Sequence, residues 1–294
     1  MRIAHIIMAH KNPNQLERLV VAMKHSMFDL YIHLDKKSDI KSFEHISEYD
    51  NVVFIQNRME CNWGGFSFVR AILNSVTEIL TSGKEYKFIN LMSGQDYPIK
   101  SVDELYEYLC DNLNISFMAY ERVDHSWWEH AVSRYKFYHF TDFKLMGRYI
   151  LQKITNKLMP LRKFPLDFTL YGSTNSSWWI LSAEAAQYLV DFINDNSKLK
   201  RFMKFTWGAD EFLITTIIMN SRFKDKVVND NLRHIDWSSG GAHPKVFAKK
   251  DLNDLIKANK YLARKFDIDV DKEILDLIDE NIRMPLNSNY SQKV

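Results

Sequence analysis

The chain has 294 residues, with 39 Lys+Arg against 37 Asp+Glu, and 46% of it is hydrophobic. These proportions exclude a disordered tail, a fibrous protein and a disulfide-stapled miniprotein, and a net charge of +2 lacks the basic excess of a dedicated nucleic-acid binder. The 19 Phe, 14 Tyr and 7 Trp are read mainly as core, with exposed ones available as platforms for sugars or bases.

Residues 3–8 form a short apolar run that predicts a first strand. A helix follows in HKNPNQLERLVVAM, where Leu16, Leu19, Val20 and Met23 recur at helical spacing. Residues 30–34 read as a second strand ending in Asp35, and 52–55 as a third. Val69, Ile72, Leu73, Val76 and Leu80 share one face of a helix over 67–80. A fourth strand, 88–91, runs into SGQDYPIKS, where Ser101 is placed to cap a helix reaching Leu109, with Glu104 at capping-box spacing. Residues 121–170 are aromatic and basic with weaker periodicity. Beyond them come a strand over 177–181, a helix from Ser182, a helix over 209–218 and a strand-like NLRHIDW. Residues 252 to about 283 read as helical with one break at FDIDVD.

Strands alternating with amphipathic helices predict an α/β fold, a mostly parallel central sheet flanked by helices. Such sheets bind ligands beyond the carboxyl ends of their strands, which directs attention to HKNPN, DKKSD, QNRMECNWGG and MSGQDYP. No GxGxxG follows the first strand and no GxxxxGK[ST] occurs, against a dinucleotide site and a P-loop. Without repeats or linkers, 1–294 is expected to form one domain, divided into halves near residue 115. Two cysteines are too few for a disulfide framework, and the N-terminus lacks the features of a signal peptide. A cytoplasmic protein is expected, and no apolar run reaches the ~20 residues of a membrane span.

Among residues able to do chemistry, Glu211 in WGADEFL falls in the first turn of a predicted helix, next to Trp207 and Phe212. In a cleft it would serve as a general base; the plainer reading is a helix-start acid. Asp96 and Asp35 each end a strand, where a carboxylate either holds a ligand or caps a turn. The ten histidines never pair at HxxxH or HxH spacing, and DIDVD at 267–271 lies beyond the strands that would carry a metal site, so no metal ion is expected. With no metal, a diphosphate needs basic partners, for which Arg233, Arg264 and Lys265 are candidates. Residues 143–163 contain six Lys/Arg and no acid. Phe143, Ile150, Leu151, Ile154 and Leu158 fall on one helical stripe, and Pro160 would end the helix. Such a helix either lies on anionic lipid or packs its stripe against the domain.

HIIMAHKNPNQLERLVVAM, YIHLDKKSD, NWGGFSFVRAIL, FINLMSGQDYPIKS, YGSTNSSWWILSAEAAQYL, WGADEFLITTI, NLRHIDW and YLARKFDIDVD, taken in order, resemble the core-2/I-branching enzymes. This glycosyltransferase family comprises β-1,6-N-acetylglucosaminyltransferases and peptide O-xylosyltransferases. The resemblance implies a GT-A-like fold and inverting transfer from a UDP-sugar, with no cofactor and no metal. The sugar would be GlcNAc or xylose and the acceptor a glycan or lipid-linked glycan, in cell-surface polysaccharide assembly, with peripheral contact at the inner membrane face through 143–163. It implies that Glu211 is the catalytic base, that Asp35, Trp63, Asp96, Arg233 and Lys265 bind the donor, and that Glu121 and Trp207 bind the acceptor. No nucleic-acid partner is implied. Two alternatives remain: a glycoside hydrolase pairing Glu211 with Asp96, and a non-catalytic sugar-binding protein using Trp63, Trp127, Trp128, Trp178 and Trp179.

Overall fold

In a computed structural model, which describes residues 1–283, the chain forms a seven-stranded sheet, two smaller sheets and helices on both faces. The strands are β1 Ile3–Ala9, β2 Phe28–Leu34, β3 Val52–Phe54, β4 Phe88–Ser93, β5 Asp96–Pro98, β6 Ser116–Met118, β7 Glu121–Arg122, β8 Tyr171–Gly172, β9 Trp179–Ser182, β10 Val227–Val228, β11 Arg233–Ile235 and β12 Leu262–Arg264. The helices are α1 Pro13–Ala22, α2 Phe66–Leu80, α3 Val102–Asp111, α4 Trp127–Ala131, α5 Ser133–Lys136, α6 Arg148–Leu158, α7 Ala183–Asp195, α8 Ser197–Met203, α9 Leu213–Met219, α10 Leu252–Lys257 and α11 Glu273–Arg283.

The main sheet has the order β10-β6-β9-β4-β1-β2-β3, and only β9 runs against the rest. All seven residues of β1 and of β2 are buried, as central strands covered on both faces require. One layer of core packs α2, α7 and α9 against one face; the other packs α1, α3, α10 and α11 against the opposite face. Leu16, Leu19, Val20 and Met23 are all buried, as their spacing predicts. Ser101 caps α3 by accepting from the Asp103 N–H at 3.2 Å.

The C-terminal region differs from expectation. Residues 262–264, inside the predicted helix, form β12, which pairs parallel with β11 and antiparallel with β5. A three-residue run of Leu-Ala-Arg carries no periodicity of its own, so the pairing partner decides its conformation. The DIDVD segment is therefore a turn between a strand and a helix. Here Asp267 accepts from Lys11 Nζ at 2.6 Å and Asn12 Nδ2 at 3.2 Å. The predicted helix over 209–218 is also divided: Ala209–Glu211 is a 3-10 turn and α9 begins at Leu213. Residues 284–294 of the expected single domain lie outside the described residues.

Candidate active site

A cleft of about 900 Å³ opens along the carboxyl ends of β1, β2 and β4, within the range of small-molecule sites. It is lined by His10 and Lys11 after β1, Asp35 and Lys37 after β2, Cys61–Gly64 after β3, and Ser93 and Gln95 after β4. These are the loops the parallel-sheet reading singles out. Because β9 runs in reverse, the residues before it, Ser177 and Trp178, reach the same edge.

Glu211 stands on one wall. Its 3-10 turn is held from three directions: Gly208 N–H donates to Gly64 O (2.8 Å), Trp207 N–H to Arg134 O (3.1 Å), and Ser173 N–H to Glu211 O (3.1 Å). Two glycines permit this packing. A Cβ on Gly64, whose φ is +70°, would sit 2.2 Å from Trp207 Nε1, and one on Gly172 would sit 2.5 Å from Glu211 O. The Glu211 carboxylate pairs with Arg134, whose guanidinium lies between the rings of Trp127 (5.1 Å) and Trp207 (4.6 Å). Burial, then the neighbouring Asp210 carboxylate, push the Glu211 pKa up to about 7, while Arg134 opposes the rise. Asp210, partly buried and itself pushed up by burial, accepts from Ser177 Oγ at 2.6 Å. A carboxyl poised near neutrality in a cleft has the property a general base needs.

Cations line the same cleft, among them Lys265 and Arg264. Burial, followed by the nearby Arg264 and Lys11, holds the Lys265 ammonium below its ordinary pKa. Among the described residues its ammonium pairs with no carboxylate, so an anion placed there would relieve the mutual repulsion. Arg264 lies over the Trp178 ring at 4.4 Å and donates to Asp96 Oδ1 at 3.0 Å.

Two residues expected at the donor, Arg233 and Asp96, sit outside the cleft lining. The Arg233 side chain is 0% exposed and does not line the cleft. It donates to Asn90 Oδ1 and Leu91 O (both 2.6 Å), Asn231 O (2.8 Å) and Asp96 Oδ2 (3.4 Å), so its donors are used internally. Asp96 is equally enclosed, accepting from Arg233, Arg264 and Ser93 N–H. A buried charge persists only when paired, and this pair holds Arg264 in place from beneath the cleft floor. Glu121, on β7 and facing His125 at 3.7 Å, also lies off the cleft lining.

The remaining expectations fall inside the cleft. Asp35 lines it while accepting from Lys37 N–H (2.9 Å) and Cys61 N–H (3.2 Å), so its turn-capping and cleft-facing readings both apply. Trp63 is exposed and meets Trp207 edge to face at 5.3 Å. Trp128 and Trp179 are buried away from the cleft, whereas Trp178, though mostly buried, lines it together with Trp63. Arg134 and Asp210 were missed by sequence reasoning. The adjacent acids of GADEF could have exposed Asp210, but Arg134 sits in a segment with no periodic signal.

With this geometry in hand, the chain can be set beside known proteins. It is similar to xylosyltransferase 2 of Rattus norvegicus, 27% identical over 302 residues covering 95% of this chain and 33% of that protein. It is also similar to xylosyltransferase 1 of Rattus norvegicus, 28% identical over 304 residues covering 95% of this chain and 35% of that protein. The chain thus spans about a third of the length of these relatives. A mouse xyloside xylosyltransferase 1 structure in its apo form aligns over 89% of this chain and 97% of that one, with 13% identity and a TM-score of 0.43. A family model, "Branch: Core-2/I-Branching enzyme", matches residues 3–257, and on that extent of match the chain belongs to the core-2/I-branching family of glycosyltransferases.

Proposed function

We propose that this protein is a metal-independent, inverting glycosyltransferase of GT-A-like organisation that moves GlcNAc or xylose from a UDP-sugar to a hydroxyl of a glycan acceptor. The observation that carries the reading is one cleft lined both by a general-base candidate, Glu211, and by two cations, Arg264 and Lys265. In the proposed step the Glu211 carboxylate takes the proton of the acceptor hydroxyl. The freed oxygen attacks the anomeric carbon from the face opposite UDP, and the sugar–phosphate bond breaks. The negative charge left on the departing diphosphate is met by Arg264 and Lys265. Asp35, Trp63 and Trp207 line the same cleft; in this reading Asp35 and Trp63 serve the donor and Trp207 the acceptor. The acceptor is expected to be a glycan under assembly for the cell surface. A hydrolase built on Glu211 and Asp96 is disfavoured, because Asp96 is enclosed between two arginines.

The test is UDP release from a panel of UDP-sugars, with and without glycan acceptors, in the presence of EDTA. Acceptor-dependent release that survives chelation and falls in Lys265→Ala supports the reading. Activity that vanishes under chelation and returns with manganese overturns the role given to Arg264 and Lys265.

A further inference from the structure

The helix α6 is docked by its polar face and turns its apolar face outward. Asn156 Oδ1 accepts from the Tyr138 N–H (2.7 Å) and its Nδ2 donates to Tyr138 O (2.8 Å). Gln152 Oε1 accepts from the Phe140 N–H (2.9 Å), and Arg148 Nη1 donates to the carbonyls of Thr141 (3.3 Å) and Phe143 (3.1 Å). Arg148, Gln152 and Asn156 follow one another at four-residue spacing and so form one face. Ile150, Ile154 and Leu158 repeat the same spacing two residues on, about 200° around the helix axis. Ile150 is 68% and Leu158 75% exposed, and no residue of α6 is buried. Leu145, Met146, Met159 and Leu161 extend the exposed apolar surface beyond both ends of the helix. Packing of the apolar stripe against the domain, one of the two sequence readings, is therefore not what occurs. Phe143 leaves the stripe and stacks on Phe205 at 5.1 Å instead.

The charge carried by this segment itself is of one sign, with Glu60, from the loop after β3, pairing with Lys144 at 2.5 Å. No Asp or Glu occurs from 143 to 166, and Lys144, Lys153, Lys157 and Lys163 are exposed there. Arg162 is not part of this set, being buried against the Phe137 and Phe205 carbonyls. An apolar row bordered by lysines complements an anionic surface with an apolar interior, whereas a second copy of the same face would set lysines against lysines.

We propose that α6 and its flanks lie on an anionic lipid bilayer, with Ile150, Ile154 and Leu158 at the headgroup boundary and the lysines against the lipid headgroups. The face is tied to the cleft rim: Asp142, just before it, accepts from Asn62 Nδ2 (3.1 Å) and from Ser67 N–H (2.8 Å). A bilayer there would hold a lipid-carried acceptor beside the cleft mouth; that use rests on the proposed reaction, but the docking does not.

Co-sedimentation of the full chain with phosphatidylcholine vesicles, with and without phosphatidylglycerol, tests the proposal. Binding is expected to require phosphatidylglycerol and to weaken with salt. Lys157→Ala should lower it about fivefold, and Ile154→Asp by at least as much. Both positions are exposed, so melting temperature and UDP binding should match the wild type. Failure to sediment with anionic vesicles overturns the proposal, as does equal binding to neutral ones. Sedimentation velocity showing a dimer that Ile154→Asp dissolves, without vesicle binding, also overturns it and assigns the face to a second copy. Lipid binding with no turnover on any UDP-sugar would leave this inference standing and remove the reaction.

Discussion

At the level of single residues, the proposed base Glu211 has its charge state set by burial and by two neighbours, Asp210 and Arg134. Its side chain is 20% exposed, and moving its pKa from 4.5 to about 7 makes the ionised form roughly 3 kcal/mol less favourable in the folded protein than in the unfolded chain. The sign follows: this group favours the fold below pH 4.5, and that contribution is lost as pH rises through about 7. Catalysis runs the opposite way, because a base must be ionised. The pH profile of kcat/KM should therefore climb to a plateau with a midpoint near 7, and Asp210→Asn, by removing a neighbouring negative charge, should move that midpoint downward. A midpoint that stays put in Asp210→Asn would show that burial alone sets the value. Glu211 could be read from WGADEFL because it stands in a recognisable run. Arg233 was misplaced because spacing cannot tell an arginine under the cleft floor from one facing into it. Only the contacts with Asn90, Leu91 and Asp96 separate the two cases.

At the level of elements, the site depends on close backbone approaches rather than on long regular structure. The short antiparallel pairing of β8 with the distant β7 brings Gly172 against the Glu211 carbonyl, where a side chain has no room. Gly172→Ala should displace the 207–212 turn and reduce kcat by at least about tenfold, since misplacement of a reacting group by an ångström is costly. The UDP dissociation constant, assigned in the proposal to Arg264 and Lys265, should change little. An alanine variant with full kcat would mean that the turn's position does not matter. The strands β1, β2, β3 and β4 were legible as apolar runs, and α1, α2 and α3 from hydrophobic periods that extend over whole elements. β12 was not, because Leu262–Arg264 is too short to show a period and is a strand only through its pairing with β5 and β11. The helix α6 was legible in its amphipathic pattern but not in its orientation, which the hydrogen bonds of Gln152 and Asn156 decide.

Across the whole molecule, the cleft is a seam between two kinds of support. The parallel strands supply Asp35 and the loops after them, while the stretch before the reversed β9, the 207–212 turn and the β5-β11-β12 sheet supply Ser177, Trp178, Glu211, Arg264 and Lys265. In the proposed reading binding and proton transfer fall to different side chains, so each should fail separately. UDP titration of Glu211→Gln, read as thermal stabilisation beside its turnover, tests that division most directly. UDP at a hundredfold excess over its dissociation constant should stabilise the variant as much as the wild type, by about 2.7 kcal/mol. Turnover should meanwhile fall at least ~100-fold. A variant that loses the UDP stabilisation, or keeps its turnover, would contradict the account.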